Sequence, residues 1–348
     1  MKTIFSTMLV MTVMILSVSC GNFDDIEAMR KLRYETGANK GAKYCATCHE
    51  TIYRQWSDRS RHFQATKSPY FHHSIAEYRG NFLLSRYMDE GMCYSCHGDK
   101  NINEGVNCES CHGAVLKGVS IEVTHEKKYT PRLVEMRRSE FCAKCHQMAL
   151  PISGELLTST YDDWRKSPAS KAGKTCRSCH MAKRGDDEYA YHGFETAVRD
   201  ISIYKSDLRL GVIKFTPYEL KLILENKVMG HSIPAGGPTR VLALELSIKD
   251  KSGKTLYRDL RTYAKKFSLL PFVGVAPFQL IEDTRLRAGE KRSVRFELPA
   301  NFSDEPVIGE LKLRMYEVED RHLGDIEKAH WRSDPILRKK VSLQKTRQ

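Results

Sequence analysis

The sequence has no pair of cysteines left over for a disulfide framework. Ten of its 11 cysteines lie in five copies of one short pattern, and Cys20 is the only other cysteine. The cysteine content therefore does not indicate a fold held together by disulfides. A second long hydrophobic run is also missing, because no segment after the N-terminal one is apolar enough to span a membrane.

The sequence also lacks the marks of a hydrolytic or nucleotide-binding site. No nucleophile with its acid–base partners is recognisable. The Gly-rich segment Met229–Gly237 is followed neither by Lys-Ser/Thr nor by the start of a helix, so it does not resemble a phosphate-binding loop. Function therefore has to be sought in another feature of the chain.

That feature is the pattern Cys-x-x-Cys-His, which occurs five times between Cys45 and His180. In this pattern the two cysteines bond covalently to haem c, and the histidine ligates the iron. Zinc knuckles and redox disulfides are the alternatives, but neither requires a histidine directly after every pair. The sequence therefore predicts five covalently attached haem c groups. The predicted attachment residues are Cys45, Cys48, Cys93, Cys96, Cys108, Cys111, Cys142, Cys145, Cys176 and Cys179, and the predicted proximal ligands are His49, His97, His112, His146 and His180.

The net charge of the protein depends on its haems as well as on its amino acids. The formal net charge of +13 would alone favour nucleic acid or an anionic membrane surface as a partner. Each haem carries two propionates, so five haems add about ten negative charges. We therefore interpret the excess of Lys and Arg as propionate partners and solvated surface, and we expect no nucleic acid partner.

The N-terminus has the pattern of an export signal. Lys2 precedes an apolar stretch from Ile4 to Val18, which has the length of the hydrophobic region of a signal peptide. We predict a signal peptide over residues 1–19 and an exported protein on the periplasmic side of a bacterial membrane. Residues 20–43 are predicted to form a tether with a short helix.

Cys20 is the predicted site of lipidation. The segment Leu16–Asn22 resembles a bacterial lipobox, although Ser17 stands where leucine is usual. Ordinary cleavage nearby and an uncleaved anchor are the alternatives. Lipidation would attach the mature protein to a membrane through acyl chains, and the choice between inner and outer membrane stays open.

The composition divides the remaining chain into two domains. Residues 44–202 hold every motif and few strand-like runs, so we expect a mainly helical and irregular domain packed around its haems. Residues 203–348 contain seven short runs of alternating apolar residues divided by turn residues, which predict an antiparallel β-sandwich of immunoglobulin-like type. The predicted strands are Asp207–Phe215, Tyr218–Lys227, Val241–Lys249, Lys254–Tyr263, Lys291–Leu298, Glu310–Val318 and Ile336–Leu343.

The second axial ligand of each iron decides between electron transfer and catalysis. A histidine or methionine in that position makes the iron six-coordinate, whereas an empty position allows a substrate to bind the iron. Eight histidines lie outside the motifs, and His322 and His330 are assigned to the late, polar part of the sandwich. The candidate distal ligands are His62, His125, His192, His231 and one of the neighbours His72 and His73.

His231 is the most informative of these candidates. It lies in a Gly/Pro-rich loop between two predicted strands of the second domain. Glycines beside a histidine allow the backbone to approach a flat macrocycle closely. Ligation by His231 would therefore make the sandwich part of a haem site.

The motifs and their surroundings resemble the cytochrome c-554 family of multihaem cytochromes. The similar stretches are Gly41–His49 with His62 after it, Gly105–Gly113, and Cys176–Met181 followed by His192. The resemblance implies closely packed haems, mostly bis-histidine ligation and electron transfer between periplasmic partners, with His62 and His192 as distal ligands. More distantly, the chain resembles pentahaem nitrite reductases and hydroxylamine oxidoreductase. The nitrite reductases commonly carry a Cys-x-x-Cys-Lys motif, which is replaced here by a fifth motif ending in histidine.

Two functions remain open at this level. The first is an exported electron-transfer protein that passes electrons between periplasmic or membrane redox partners and is not an enzyme. The second is a reductase or oxidase of a small inorganic nitrogen or sulfur compound at one open haem. A β-domain acting as a binding module, with structural haems, is a third interpretation.

Overall fold

The computed structural model describes residues 41–80, 85, 90–98, 104–116, 136–150, 153–194, 201–216, 218–237, 240–268, 279–298, 307–316 and 335–343. The predicted signal peptide, Cys20 and His125 lie outside these residues. Within them, no helix is both long and apolar enough to cross a membrane.

The described residues between 41 and 194, called the motif region below, form short helices, irregular segments and one small hairpin. The helices are α1 (Ala42–Ala46), α2 (Glu50–Arg59), α3 (Pro69–Gly80), α4 (Glu90–His97), α5 (Cys108–Leu116), α6 (Ser139–His146), α7 (Thr160–Arg165), α8 (Pro168–Lys171) and α9 (Cys176–His180). The hairpin pairs strands β1 (Gln147–Ala149) and β2 (Leu156–Ser159) in an antiparallel manner.

Residues 201–343, called the β-region below, begin with helix α10 (Ile201–Asp207) and continue as strands. The predicted boundary at residues 202 and 203 falls within this helix. The strands are β3 (Leu208–Thr216), β4 (Glu219–Asn226), β5 (Val241–Lys249), β6 (Thr255–Tyr263), β7 (Lys265–Phe267), β8 (Leu280–Asp283), β9 (Lys291–Glu297), β10 (Val307–Tyr316) and β11 (Leu337–Leu343).

All seven predicted strands of the β-region are present. They form two antiparallel sheets, one with the order β3-β4-β9 and the other with the order β11-β10-β5-β6. Strand β4 shows why the sheets pack: alternate residues Leu220, Leu222 and Leu224 are completely buried. They join one apolar cluster with Leu244 of β5 and Phe296 of β9, so residues of both sheets share a single core.

The sequence did not predict the β1–β2 hairpin or the β7–β8 pair. Each of these strands has only three or four residues, which is too short to show an alternating pattern.

The core is unevenly distributed, as predicted. The large apolar cluster of the described residues draws its members from positions 208 to 341, whereas buried apolar residues of the motif region are few. Trp56 is one of these few; its indole Nε1 donates to the carbonyl oxygen of Val106 at 2.9 Å. This bond ties the helix after the first motif to the start of the third.

Candidate haem centres

In four of the five motifs, a single helix carries both cysteines and the histidine, whereas the first motif runs from the end of α1 through a turn to the start of α2. The fifth motif is helix α9 itself, and the fourth occupies the end of α6. On a helix, residues three and four positions apart share a face, so both cysteines and the histidine of a motif point to the same side. Helix α9 begins with a capping box in which Thr175 and Ser178 satisfy each other's backbone amides. All ten motif cysteines are free of disulfides, as thioether attachment requires.

Three motif histidines face a histidine that lies outside the motifs. The ring centres are 6.1 Å apart for His62 and His146, 6.5 Å for His112 and His192, and 6.2 Å for His180 and His231. An imidazole nitrogen lies about 2.0 Å from a metal that it ligates and about 1.2 Å from its ring centre, so two imidazoles on opposite sides of one metal have centres about 6.4 Å apart.

The three observed separations therefore fit one axial metal ion between each pair of rings. Among the described residues, no group of three or more His, Cys, Asp or Glu side chains is arranged to hold a metal ion. A haem iron needs only two axial protein ligands, because the macrocycle supplies the other four. The donor set thus suits haem iron.

Backbone carbonyls set the orientation of two of these distal candidates. His192 Nδ1 lies 2.7 Å from the carbonyl oxygen of Ala190, and His231 Nδ1 lies 3.0 Å from that of Ser232. A carbonyl oxygen only accepts, so each Nδ1 carries the proton and Nε2 keeps its lone pair. Hydrogen bonds of this kind fix the tautomer of metal-ligating histidines and strengthen them as donors.

The surroundings keep the imidazoles neutral, which is the form that ligates metal. Burial lowers the pKa of His62 to about 3 and that of His146 to about 4, with further contributions from neighbouring histidines. Burial is also the main cause of the lowered pKa of His97, His192 and His231. All five are thus uncharged at neutral pH.

The remaining candidates are placed differently. His72 is exposed on helix α3, and His73 lies in the same helix. The ring that contacts His97 is that of Phe71, with centres 4.7 Å apart and planes 29° from parallel. His49, at the start of helix α2, is exposed.

The motifs contact one another through their cysteines. The sulfur atoms of Cys45 and Cys108 lie close to each other, which places the first motif beside the third. Cys142 and Cys176 are neighbours in the same way, which places the fourth motif beside the fifth. The thiol of Cys96 lies 3.9 Å from the carbonyl oxygen of Lys144, which brings the second motif to the fourth.

Polar side chains hold the backbone at each distal candidate. The amide of His62 donates to Ser60 Oγ at 3.0 Å, and the amide of His192 donates to Gln55 Oε1 at 3.0 Å. Asn226 Nδ2 lies 3.2 Å from the carbonyl oxygen of His231. Gln55 and Asn226 were not predicted as parts of a site, because single Gln and Asn residues carry no pattern that distinguishes them.

A buried ion-pair network joins the motif region to the β-region. Arg285 donates to Asp163 of helix α7 at 2.8 Å, to Ser159 at 3.1 Å and to Asp283 at 2.7 Å, and its side chain is only 8% exposed. Lys265 lies close by and donates to the carbonyl oxygen of Leu156 at 2.7 Å. The loop that carries His231 therefore adjoins a fixed contact between the two regions.

Comparisons with known proteins found one matching family model and similar solved structures. The family model described as "Cytochrome c554 and c-prime" matches residues 44–113. A crystal structure of a penta-heme cytochrome c552 from Thermochromatium tepidum matches with a TM-score of 0.62 and 20% identity, covering 87% of this chain and 98% of that one. The C-terminal domain of wzt covers 41% of this chain and 72% of its own at 14% identity, with a TM-score of 0.23. No curated protein matches the chain significantly.

The five motifs and the family match over residues 44–113 support a multihaem c-type cytochrome, and the solved structure has a similar fold. The predicted resemblance to the cytochrome c-554 family is confirmed over residues 44–113. Covalently bound haem c and a role in electron transfer follow from that class.

Proposed function

We propose that this chain is an exported pentahaem cytochrome that passes electrons between periplasmic or membrane redox partners through closely packed haems. One observation supports it above the others: three motif histidines face a second histidine at the spacing of a doubly ligated metal. An iron closed in this way has no position for a substrate and exchanges electrons only. Five complete motifs support the number of haems.

In this proposal the protein residues hold and tune the haems. The motif cysteines attach each haem, and the motif histidines supply the proximal ligands. His62, His192 and His231 supply distal ligands to the haems of His146, His112 and His180. The haem supplies a reversible one-electron couple, whose potential depends on the ligands, burial and hydrogen bonding.

Contact between motifs supports a continuous route for electrons. The first motif contacts the third through Cys45 and Cys108, and the fourth contacts the fifth through Cys142 and Cys176. Cys111 of the third motif also lies near Cys142 of the fourth. The haems of motifs one, three, four and five would then follow one another, with that of the second motif beside the fourth.

The β-region is proposed to be an immunoglobulin-like sandwich that supplies an axial ligand. Its seven principal strands are β3, β4, β5, β6, β9, β10 and β11, numbered here one to seven along the chain. One sheet then has the order one-two-five, and the other has the order seven-six-three-four. This arrangement supports the assignment, since antiparallel sandwiches of that type place the first, second and fifth strands in one sheet. The loop with His231 leads from the second of these strands to the third.

Export and anchoring belong to the proposal through the sequence alone. The apolar stretch Ile4–Val18 and the lipobox-like segment at Cys20 support a signal peptide and a lipid anchor. The proposed partners are redox proteins on the periplasmic side of a bacterial membrane, and no nucleic acid is expected among them.

Two measurements on the complete haem-loaded protein test this function. Intact mass under denaturing conditions should equal the polypeptide plus five haems. The reduced protein should be reoxidised by a small soluble c-type cytochrome but should not turn over nitrite, hydroxylamine or sulfite. Sustained turnover of any of these three compounds would contradict the proposal and favour a catalytic haem.

A further inference from the structure

The loop that carries His231 is held on two sides by hydrogen bonds. On the β-region side, the amide and carbonyl of Ile233 exchange hydrogen bonds with Leu286 at 2.8 and 2.9 Å. On the motif-region side, the amide of Gly236 donates to Thr160 Oγ1 at 3.2 Å, and the carbonyl oxygen of Met229 accepts from Ala169 at 3.0 Å. The place of His231 is therefore set by contacts with both regions.

Asn226 is the polar side chain at the centre of this loop. It ends strand β4 and is completely buried. Its Nδ2 lies within hydrogen-bond distance of the carbonyl oxygens of His231, Leu286 and Arg287, at 3.2, 3.1 and 2.9 Å, and its Oδ1 accepts from the amide of Val228 at 2.9 Å. One buried amide group therefore connects the backbone at His231 to the backbone at Leu286 and Arg287.

Residues 285–287, which include two of the carbonyls near Asn226, also contact the motif region. Arg285 lies directly before Leu286 and donates to Asp163 of helix α7, 122 residues away in sequence. The backbone of residues 285–287 therefore connects the His231 loop, through Asn226, to helix α7, which is followed in sequence by α8 and then by the fifth motif. His180 of that motif is the residue that His231 faces.

We propose that Asn226 is a positioning residue that holds His231 opposite His180, through its hydrogen bonds to the carbonyls of His231, Leu286 and Arg287. The inference rests on the proposed ligation by His231. Asn226 does not touch the iron itself; it fixes the loop backbone from which the imidazole extends. A shift of about 1 Å in that backbone is enough to lengthen or break an axial bond.

An isosteric substitution tests this role. Asn226→Asp keeps an oxygen for the amide of Val228 but removes both N–H donors and places a carboxylate among carbonyl oxygens. In the haem-loaded protein we expect part of one ferric haem per chain to change from low spin to high spin in its electron paramagnetic resonance spectrum. Added imidazole should restore the low-spin signal. Asn226→Ser is a milder change and should give a smaller high-spin fraction. It replaces Asn226→Asp as the test variant if Asn226→Asp does not fold.

Three further variants separate the possible outcomes. His231→Ala should convert one whole haem to high spin; an unchanged spectrum would overturn ligation by His231 and the positioning role with it. If His231→Ala converts one haem while both Asn226 variants keep the wild-type spectrum, only the positioning role is overturned. Ile248→Val alters the β-region core away from the loop, and Ser247→Ala removes a buried hydroxyl from the opposite face of the same strand. They should lower or preserve the melting temperature without changing the spin state.

Discussion

His180 and His231 face each other with ring centres 6.2 Å apart and ring planes only 9° from parallel. The two residues belong to different parts of the chain, since His180 ends the fifth motif and His231 lies in the loop after strand β4. In the proposed function the β-region therefore supplies a ligand to a haem centre through His231.

The planes of the histidine pairs predict different spectra for their haems. Two axial imidazoles with parallel planes donate to the same iron d orbital and so separate the energies of the dxz and dyz orbitals. Imidazoles with perpendicular planes donate to both orbitals and leave their energies similar. The rings of His62 and His146 are 68° apart, so their ferric haem should give a low-spin signal of larger g anisotropy than that of His180 and His231. The variant His62→Ala should remove the more anisotropic signal and His231→Ala the less anisotropic one. The reverse assignment would contradict these pairings.

Removal of a distal imidazole should open one iron to small ligands. His192 faces His112, so the reduced His192→Ala variant should bind one additional carbon monoxide per chain, as measured by optical titration. Tyr189→Ala changes an exposed side chain three residues away and should bind no more than the wild type. Equal binding by the two variants would mean that His192 does not ligate.

The contact between the regions should be stabilised by the pair of Asp163 and Arg285. Both side chains are largely buried, and the Asp163→Asn variant leaves Arg285 with one carboxylate. We expect a loss of about 1–3 kcal/mol in the free energy of unfolding, measured by denaturant titration of the haem-loaded protein. The neighbouring Asp162 pairs only with exposed Arg165 and Lys166, so Asp162→Asn should lose less than about 1 kcal/mol. Similar losses in the two variants would contradict a special role for Asp163.

Lys265 predicts a pH dependence of stability. Burial is the main reason that its pKa is lowered from 10.5 to about 8; Arg285 lowers the pKa as well, whereas Asp283, Asp163 and Glu155 raise it. Between about pH 8 and pH 10.5 the unfolded chain therefore binds more protons at this residue than the folded protein, so stability contributed by Lys265 rises with pH. The free energy of unfolding of the wild type minus that of Lys265→Met should therefore increase as the pH is raised over this range. A difference that is constant or falls with pH would refute the lowered pKa.

Local patterns predicted much of this molecule. The five motifs contain their chemistry within five residues each, and the strands of the β-region show alternating apolar residues such as Leu220, Leu222 and Leu224. His231 was suggested by the glycines beside it. The strand order, by contrast, depends on pairings between distant residues, which no local pattern encodes.

The supporting residues could not be predicted for the same reason. Asn226 acts through carbonyls 60 residues away, and Arg285 pairs with an aspartate 122 residues away. In a sequence these residues look like any other polar side chains at a strand end or in a turn. Only the folded chain shows that both converge on the loop of His231.

The central claim is that histidines close the haem irons so that the protein carries electrons. Spin quantitation of the electron paramagnetic resonance spectrum of the fully oxidised, haem-loaded protein at low temperature tests this claim most directly. We expect five low-spin ferric haems per chain and no high-spin signal. A high-spin ferric signal that integrates to one haem per chain would contradict the account and indicate an open, substrate-binding iron.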